Sequence, residues 1–390
     1  MSIFELNPAL RWAVPAVTAV ALVGGGSAIG GLRAAADAGL PARTAAQLLV
    51  DVQQARLDGL SGTVVQKSDL GLPDLPIAGA SGGTGSSDLT SLISGTHTMR
   101  LWFAGPDKAR MALVGTLGES DVIHNGQDVW VWASQGKTAK HYVLPAHDVA
   151  GKSATTLIPS DLPTSPQAAA EKALAAMTPS TQVTTSGTAM VAGRSAYELV
   201  LKPKEKTSLV AQVRVAIDGT EHVPLRVQVF AKTVKGPVFE VAFSAVDFAR
   251  PDAAQFTFKP PTGTTVTEGK TLMATGGLKT AGDAKSVAPQ PSSADMPTVI
   301  GKGWGGVLVF KLPAADAAAS PGTSGATGGT ADKTVAQLMK FAGLLPSVSG
   351  RWGSGHLMAG TAFSVLLTDD GRIVVGAVTP GGLYAALAAS

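Results

Sequence analysis

The chain has 390 residues, of which 45% are apolar and 15% are charged, and its formal net charge is +3. This length supports two domains with sizeable cores, and charges so few and so mixed in sign give no electrostatic footprint for nucleic acid. Cysteine is absent, which excludes a thiol nucleophile, thiolate metal sites, disulfides and the lipid-modified cysteine of a lipoprotein.

The first predicted element is an export segment in residues 1–38. Residues 12–32 carry no charge and are flanked by Arg11 and Arg33. Their strongly apolar part, residues 13–23, has the length of a signal-peptide core and is short for a spanning helix. Small residues that follow offer cleavage sites. We therefore predict a cleaved signal peptide or, as the alternative, an uncleaved N-terminal membrane anchor; either places the remaining chain outside the cytoplasm.

A first domain is predicted over residues 42–267. It begins with an amphipathic helix over residues 43–57, because apolar residues recur there at near-helical spacing. Alternation with a period of two then predicts strands, and Asn125-Gly126 between two apolar runs predicts a tight hairpin. These closely spaced strands favour one antiparallel meander over βαβ units. They cover residues 60–66, 98–103, 110–115, 122–124 and 129–133.

The second half of this domain repeats the pattern. An Ala-rich helix is predicted over residues 166–177, and four further strands follow it. Along these strands the apolar side chains alternate onto one face and polar side chains occupy the other, so the sheet has one consistently apolar face. The four strands cover residues 197–202, 209–217, 223–230 and 238–248.

Residues 268–297 lack periodicity and are rich in Gly, Pro and Ser, which predicts a linker. A smaller second domain is predicted over residues 298–390. An Ala, Gly, Ser and Thr-rich insert at residues 314–330 is predicted to be disordered. The elements predicted around it are strands 307–312, 361–368 and 373–378 and helices 333–344 and 380–388.

Motifs that carry chemistry are weak. Residues 301–306 formally match the G-x-G-x-x-G pattern, but they open a strand and no helix follows them, so a dinucleotide site is not predicted. Residues 353–356 read as a tight turn, because the G-x-S-x-G nucleophile motif is incomplete. His141 and His147 read as loop or surface histidines, since no carboxylate cluster accompanies them. We predict no enzyme activity, no metal and no cofactor.

The apolar face of the sheet is the candidate binding surface. Either helices cover it completely and form an ordinary core, or sheet and helices enclose a cavity that accepts acyl chains. The second alternative would need no catalytic group. The candidate lining consists of Leu101, Phe103, Met111, Leu113, Val213, Val215, Leu225, Val227, Phe239, Val241 and Phe243.

A resemblance bears on this choice. The run Gly193-Arg194-Ser195-Ala196-Tyr197-Glu198-Leu199, the run Val223-Pro224-Leu225-Arg226-Val227 and the ending Phe256-Thr257-Phe258-Lys259-Pro260-Pro261 resemble the bacterial lipoprotein carrier superfamily. That superfamily includes LolA, the mycobacterial carriers LppX and LprG, and the regulator RseB, also called MucB. The resemblance covers residues 42–267 and implies an α+β fold. The implied first domain is an unclosed antiparallel half β-barrel with helices packed in its concave mouth.

The end of the chain carries a second resemblance. Residues 371–380 and the short helix after them are similar to the small second domain of RseB-type regulators, which implies a small C-terminal α+β domain. The superfamily implies an extracytoplasmic, non-enzymatic carrier of lipid or lipoprotein acyl chains in the cell envelope. The alternative is an envelope-stress regulator whose partner is a membrane-bound anti-sigma factor. A structural envelope protein with a solid core is the third possibility.

Overall fold

The computed structural model describes residues 40–71, 87, 89–116, 118–144, 174, 177–269, 298–311 and 342–389. In these residues the chain forms a 12-stranded sheet and a 6-stranded sheet. The helices are α1 (Ala45–Gln54) and α2 (Pro380–Ala388). The protein is therefore mostly β, and the part of the chain described has few helices.

The large sheet is built from the first part of the chain, and its order is β12-β6-β5-β4-β3-β2-β1-β11-β10-β9-β8-β7. Because β12 and β7 are its edges, the sheet is open and does not close into a barrel. Its strands are β1 (Leu60–Ser68), β2 (Gly95–Phe103), β3 (Lys108–Val114), β4 (Glu119–Asn125), β5 (Asp128–Ala133), β6 (Thr138–Val143), β7 (Thr181–Val191), β8 (Arg194–Pro203), β9 (Val210–Asp218), β10 (Pro224–Ala231), β11 (Pro237–Asp247) and β12 (Thr265–Glu268).

The predicted meander is confirmed from β2 to β5, and so is its predicted hairpin. Asn125 pairs with Asp128 across the turn, and Gly126 has φ +65°. That left-handed conformation costs glycine little, which explains why the Asn-Gly pair stands there. The helix predicted first is also present as α1. Its Thr44 cap accepts a hydrogen bond from the Gln47 amide, and the Gln47 side chain accepts one from the Thr44 amide.

Three strands of the large sheet were not predicted from the sequence. The strands β6 and β7 contain mainly polar, Thr or Ala residues, so they lack a clear apolar alternation. The four residues of β12 are all exposed, and they pair with β6 in parallel. The expectation of a purely antiparallel sheet is therefore wrong at this edge, where a connection running from β11 returns the chain to the far side of the sheet.

The small sheet has the order β13-β14-β18-β17-β16-β15. Its core lies against α2, where Leu383 and Leu387 pack on Val307, Leu366 and Val374. The predicted final helix is thus confirmed. The strands are β13 (Thr298–Ile300), β14 (Val307–Lys311), β15 (Ser347–Gly350), β16 (Gly353–Ala359), β17 (Ser364–Thr368) and β18 (Arg372–Gly376).

The predicted turn at residues 353–356 is wrong, because these residues begin strand β16. A Cβ at Gly355 would lie 2.3 Å from the Leu367 carbonyl oxygen. Glycine is therefore needed at this position for the close approach of two strands. The glycine-rich run therefore reflects two closely packed strands. An assignment from turn-forming residues alone predicts a turn there instead.

The two sheets touch through backbone hydrogen bonds. The Leu209 amide donates to the Ala377 carbonyl at 2.9 Å, and the Thr379 amide donates to the Thr207 carbonyl at 2.8 Å. A third bond runs from the Thr361 amide to the Leu70 carbonyl at 2.7 Å. The small sheet therefore docks at the end of the large sheet where β1 ends and β9 begins.

Several predicted segments lie outside the described residues. They are the export segment 1–38, most of the linker 268–297, the insert 314–330 and most of the helices 166–177 and 333–344. In the part of the chain that the structure describes, none of the helices is long and apolar enough to cross a membrane.

Candidate functional site

Strand pairing brings ten of the eleven candidate lining residues to one face of the large sheet. Residues that pair across neighbouring strands share a face, and residues two apart on one strand share it as well. We name this surface the apolar face. Pairs that establish it are Leu101 with Met111, Leu113 with Met99, Phe243 with Val64, Val227 with Val241, Val229 with Phe239, and Val215 with Val227.

Leu225 is the exception among the eleven. It lies where the register shifts between Pro224 and Arg226, so no pairing assigns it to a face. Its side chain nevertheless belongs to the same buried cluster as Val241 and Phe243. The other ten residues share one face, as their alternation along the strands predicts, and their role in binding stays a prediction.

The candidate residues fall into two groups by exposure. Five are buried, namely Leu101, Leu113, Leu225, Val241 and Phe243. Six are only half-buried, namely Phe103, Met111, Val213, Val215, Val227 and Phe239. The apolar face thus combines a packed centre with apolar side chains that remain partly accessible.

The helix α1 covers one part of the apolar face. Its buried Leu48 packs in a cluster with Tyr197, Leu199 and Ile217 of β8 and β9, and Val215 borders that cluster. At the centre, Gly62 makes room for the Phe243 ring, because a Cβ on Gly62 would lie 2.8 Å from two ring carbons. The contact with α1 and the missing side chain at Gly62 therefore let side chains from distant strands pack on the apolar face.

The opposite face of the sheet carries charged as well as apolar side chains, and its buried carboxylates are paired. Asp121 accepts two hydrogen bonds from Arg110, at 2.9 and 3.3 Å. Glu198 accepts from Arg226 at 3.2 Å and from Arg214 at 3.5 Å. Because each buried charge has an opposite charge beside it, these groups act as structural ion pairs across strands.

His141, predicted to be a loop or surface histidine, lies on the edge strand β6 with its side chain 17% exposed. Its Nε2 is 2.7 Å from Asp128 Oδ1, its Nδ1 is 3.0 Å from Glu268 Oε2, and its ring stacks on Trp130 at 4.2 Å. Burial disfavours the charged ring, but the hydrogen bonds to the two carboxylates outweigh that effect and raise the pKa of His141. The histidine therefore ties β12 to the sheet edge.

A cleft of about 320 Å³ opens at the other end of the strands, away from the small sheet. It is lined by the β2–β3 turn together with Leu57, Asp58 and Arg250. Leu57 also packs against the apolar cluster of the large sheet. The described residues contain no cluster of three His, Asp or Glu side chains that could hold a metal ion.

Residues 86–268 match the family model described as "Predicted periplasmic protein (DUF2092)", which supports the extracytoplasmic location. No curated protein matches the chain.

Solved structures that match the chain include three bacterial proteins. MucB of Pseudomonas aeruginosa, in its complex with MucA, is 13% identical, with a TM-score of 0.39 over 87% of this chain and 94% of its own. A LolA superfamily protein of Nitrosomonas europaea is 12% identical, with a TM-score of 0.21 over 56% of this chain and 99% of its own. The lipoprotein LppX of Mycobacterium tuberculosis is 11% identical, with a TM-score of 0.26 over 50% of this chain and 93% of its own. These proteins belong to the groups that the sequence resemblance named.

Proposed function

We propose that this protein is an extracytoplasmic, non-enzymatic carrier that binds acyl chains of a lipid or lipoprotein on the apolar face of its large sheet. The observation that carries the proposal is the alignment of apolar side chains from β2, β3, β9, β10 and β11 on one face, six of them half-buried. Each methylene that such a surface removes from water contributes about 0.8 kcal/mol.

The half-barrel shape and the helices in its mouth are part of this proposal. The position of α1 on the apolar face supports it, because a carrier needs a cover that leaves part of the sheet accessible. The pairing of the buried carboxylates Asp121 and Glu198 with arginines supports a role without catalysis, since these groups already serve as ion-pair partners.

A pair of adjacent substitutions tests the carrier function. Val213→Glu places a charge on the apolar face, and we expect it to weaken binding of a fluorescent fatty acid by at least about tenfold, because burying an unpaired charge beside an acyl chain is costly. Gln212→Glu adds the same charge one residue away on the opposite face, beside Arg214, and should bind like the wild type. Probe titration measures both variants.

Circular dichroism establishes that both variants are folded before the comparison is made. Equal binding by the two variants would contradict the proposed site on the apolar face. Absence of probe uptake by the wild-type protein, together with no lipid in native mass spectra of protein purified from its own envelope, would contradict the carrier function itself.

A second candidate function is the regulator that binds a membrane-bound anti-sigma factor. It is favoured by exposed apolar side chains on the small sheet, on the face turned away from α2. Val299, Leu308 and Phe310 are 54%, 41% and 38% exposed, and Val299 pairs with Leu308 across β13 and β14. A row of exposed apolar side chains is typical of a protein contact.

Site-specific crosslinking in cells tests this second function. A photoreactive residue in place of Leu308 is expected to crosslink to a membrane protein. The same residue in place of Lys311, on the same strand but directed to the other face, should not give that product. Mass spectrometry identifies the adduct. If Leu308 yields no protein adduct, the regulatory function is wrong, and the carrier function is unaffected.

A further inference from the structure

Two polar side chains interrupt the apolar face. Gln66 of β1 and His97 of β2 pair directly across the two strands, and Gln66 also pairs with Val241 of β11. By alternation they share a face with Val64 and Met99, which are fully buried. Gln66 and His97 are themselves only 2% and 3% exposed. A polar pair is therefore enclosed on a hydrophobic surface, toward the end of β1 and the start of β2.

Each of these side chains is fixed at one end only. Gln66 Nε2 donates to the Leu92 carbonyl at 2.6 Å, and His97 Nε2 lies 2.8 Å from the Ser94 carbonyl. Since a carbonyl oxygen only accepts, His97 Nε2 carries a hydrogen, and Nδ1 of the neutral ring is left as an acceptor. Both side chains thus hold the short 3₁₀ turn Leu89–Ile93 and its last neighbour Ser94 against the sheet.

The remaining polar atoms of the pair are unsatisfied. Gln66 Oε1 and His97 Nδ1 are buried, and neither has a hydrogen-bond partner among the residues that the structure describes. Both are acceptors, and they belong to directly opposed residues, whose Cβ atoms lie about 5 Å apart in an antiparallel sheet. Buried acceptors without donors destabilise the state that contains them, so a group that donates to both is favoured there.

The chemistry of this pair selects among acyl guests. A carboxylate or an ester presents only acceptors and leaves Gln66 Oε1 and His97 Nδ1 unpaired. A secondary amide brings one donor. Two neighbouring hydroxyl groups bring one donor for each acceptor. The 3₁₀ turn Leu89–Ile93 and Ser94 cover the pair, because both side chains bond to their carbonyls. This segment must move before a guest can reach the two acceptors.

We propose that Gln66 and His97 form a recognition site for the vicinal hydroxyl groups of an acyl lipid of the monoacylglycerol type. This inference rests on the proposed carrier function and adds the class of guest. In this proposal the two acceptors favour a hydroxylated headgroup over a carboxylate or a simple ester that carries the same acyl chain.

A comparison of two probes with the same chain tests the site. The wild-type protein is expected to bind 1-lauroylglycerol about tenfold or more tightly than methyl laurate, since two additional hydrogen bonds form at the closed pair. The affinities are measured by displacement of a fluorescent fatty acid from the full chain. Gln66→Met and His97→Phe should reduce this preference to about threefold or less while binding of methyl laurate is retained.

A matched control is Ser68→Ala, which lies two residues from Gln66 on the same face of β1 and should keep the wild-type preference. Equal affinity of the wild type for the two probes would overturn the recognition site while leaving the carrier function intact. Failure of both probes to bind would count against the carrier function. Tighter binding of an N-lauroyl peptide than of 1-lauroylglycerol would overturn the assignment of vicinal hydroxyl groups as the recognised group. The comparison of probes on the wild-type protein tests the site even if a variant does not fold.

Discussion

Replacing Phe256 by alanine is expected to lower the free energy of unfolding by about 4 kcal/mol. The Phe256 side chain is 1% exposed and is among the largest fully buried side chains of the described residues. It belongs to the 3₁₀ turn Ala253–Phe256, which contacts β3 and β4. Truncation to alanine leaves a cavity between this turn and the sheet. Urea unfolding followed by circular dichroism measures the loss.

The neighbouring Phe258 is the matched control. It is half-buried, and its ring centroid lies 5.2 Å from that of Trp130 and 6.1 Å from that of Trp132. Phe258→Ala should therefore cost less than half as much as Phe256→Ala. A loss below about 1 kcal/mol for Phe256→Ala would mean that the turn does not pack against the sheet, because buried Phe→Ala changes cost far more.

The position of Phe256 also matters for the sheet edge. The segment after β11 crosses the face of the sheet opposite the apolar face, where Arg110 Nη1 lies 3.5 Å from the Gln255 carbonyl. The same segment then continues into β12, which pairs with the edge strand β6. This pairing places Glu268 beside His141. A loosened turn should therefore release this edge first, and hydrogen exchange at Thr265 to Glu268 in Phe256→Ala would report that release.

Much of the large sheet could be predicted, because local alternation carries the information. Each of β9, β10 and β11 alternates apolar and polar side chains, and that alternation is enough to assign the members of the apolar face. Pairing between distant strands could not be predicted in this way. β1 lies beside β11, with Val64 opposite Phe243, and nothing in either strand alone specifies that neighbour.

The features that the sequence did not predict depend on contacts between distant residues. His141 read as a surface histidine because its carboxylate partners come from β5 and from β12, at Asp128 and Glu268. Gln66 and His97 resemble solvent-facing residues of an alternating strand. Only the pairing of β1 with β2 and β11 places them inside the apolar face. Burial of a polar residue is a property of the packed sheet and has no local signal.

Replacing Asp218 by alanine is the second substitution with a large expected effect, a loss of about 3 kcal/mol in the free energy of unfolding. The Asp218 side chain is buried and accepts hydrogen bonds from Arg194 at 2.5 and 2.9 Å. Its Oδ1 also accepts from the backbone amides of Thr220 and Glu221, at 2.9 and 2.7 Å. Removal of the carboxylate leaves Arg194 and both amides without this partner.

Asparagine at the same position separates the two contributions. Asp218→Asn keeps an oxygen that can accept from the Thr220 and Glu221 amides and removes the charge that faces Arg194. We expect it to lose about half as much stability as Asp218→Ala. Equal losses for the two variants would show that the ion pair with Arg194 dominates, whereas no loss for Asp218→Asn would show that the backbone amides do.

The pH dependence gives an independent check on the same carboxylate. Burial alone would raise the pKa of Asp218, but the hydrogen bonds from Arg194, Glu221 and Thr220 lower it below its usual range. A carboxylate with a lowered folded-state pKa stabilises the protein above its unfolded-state pKa of about 4 and loses this contribution as the pH falls through the folded-state value. The stability difference between wild type and Asp218→Ala should therefore be constant from about pH 5 to 8 and shrink below about pH 4. A difference that grows in acid would contradict the charged pair with Arg194.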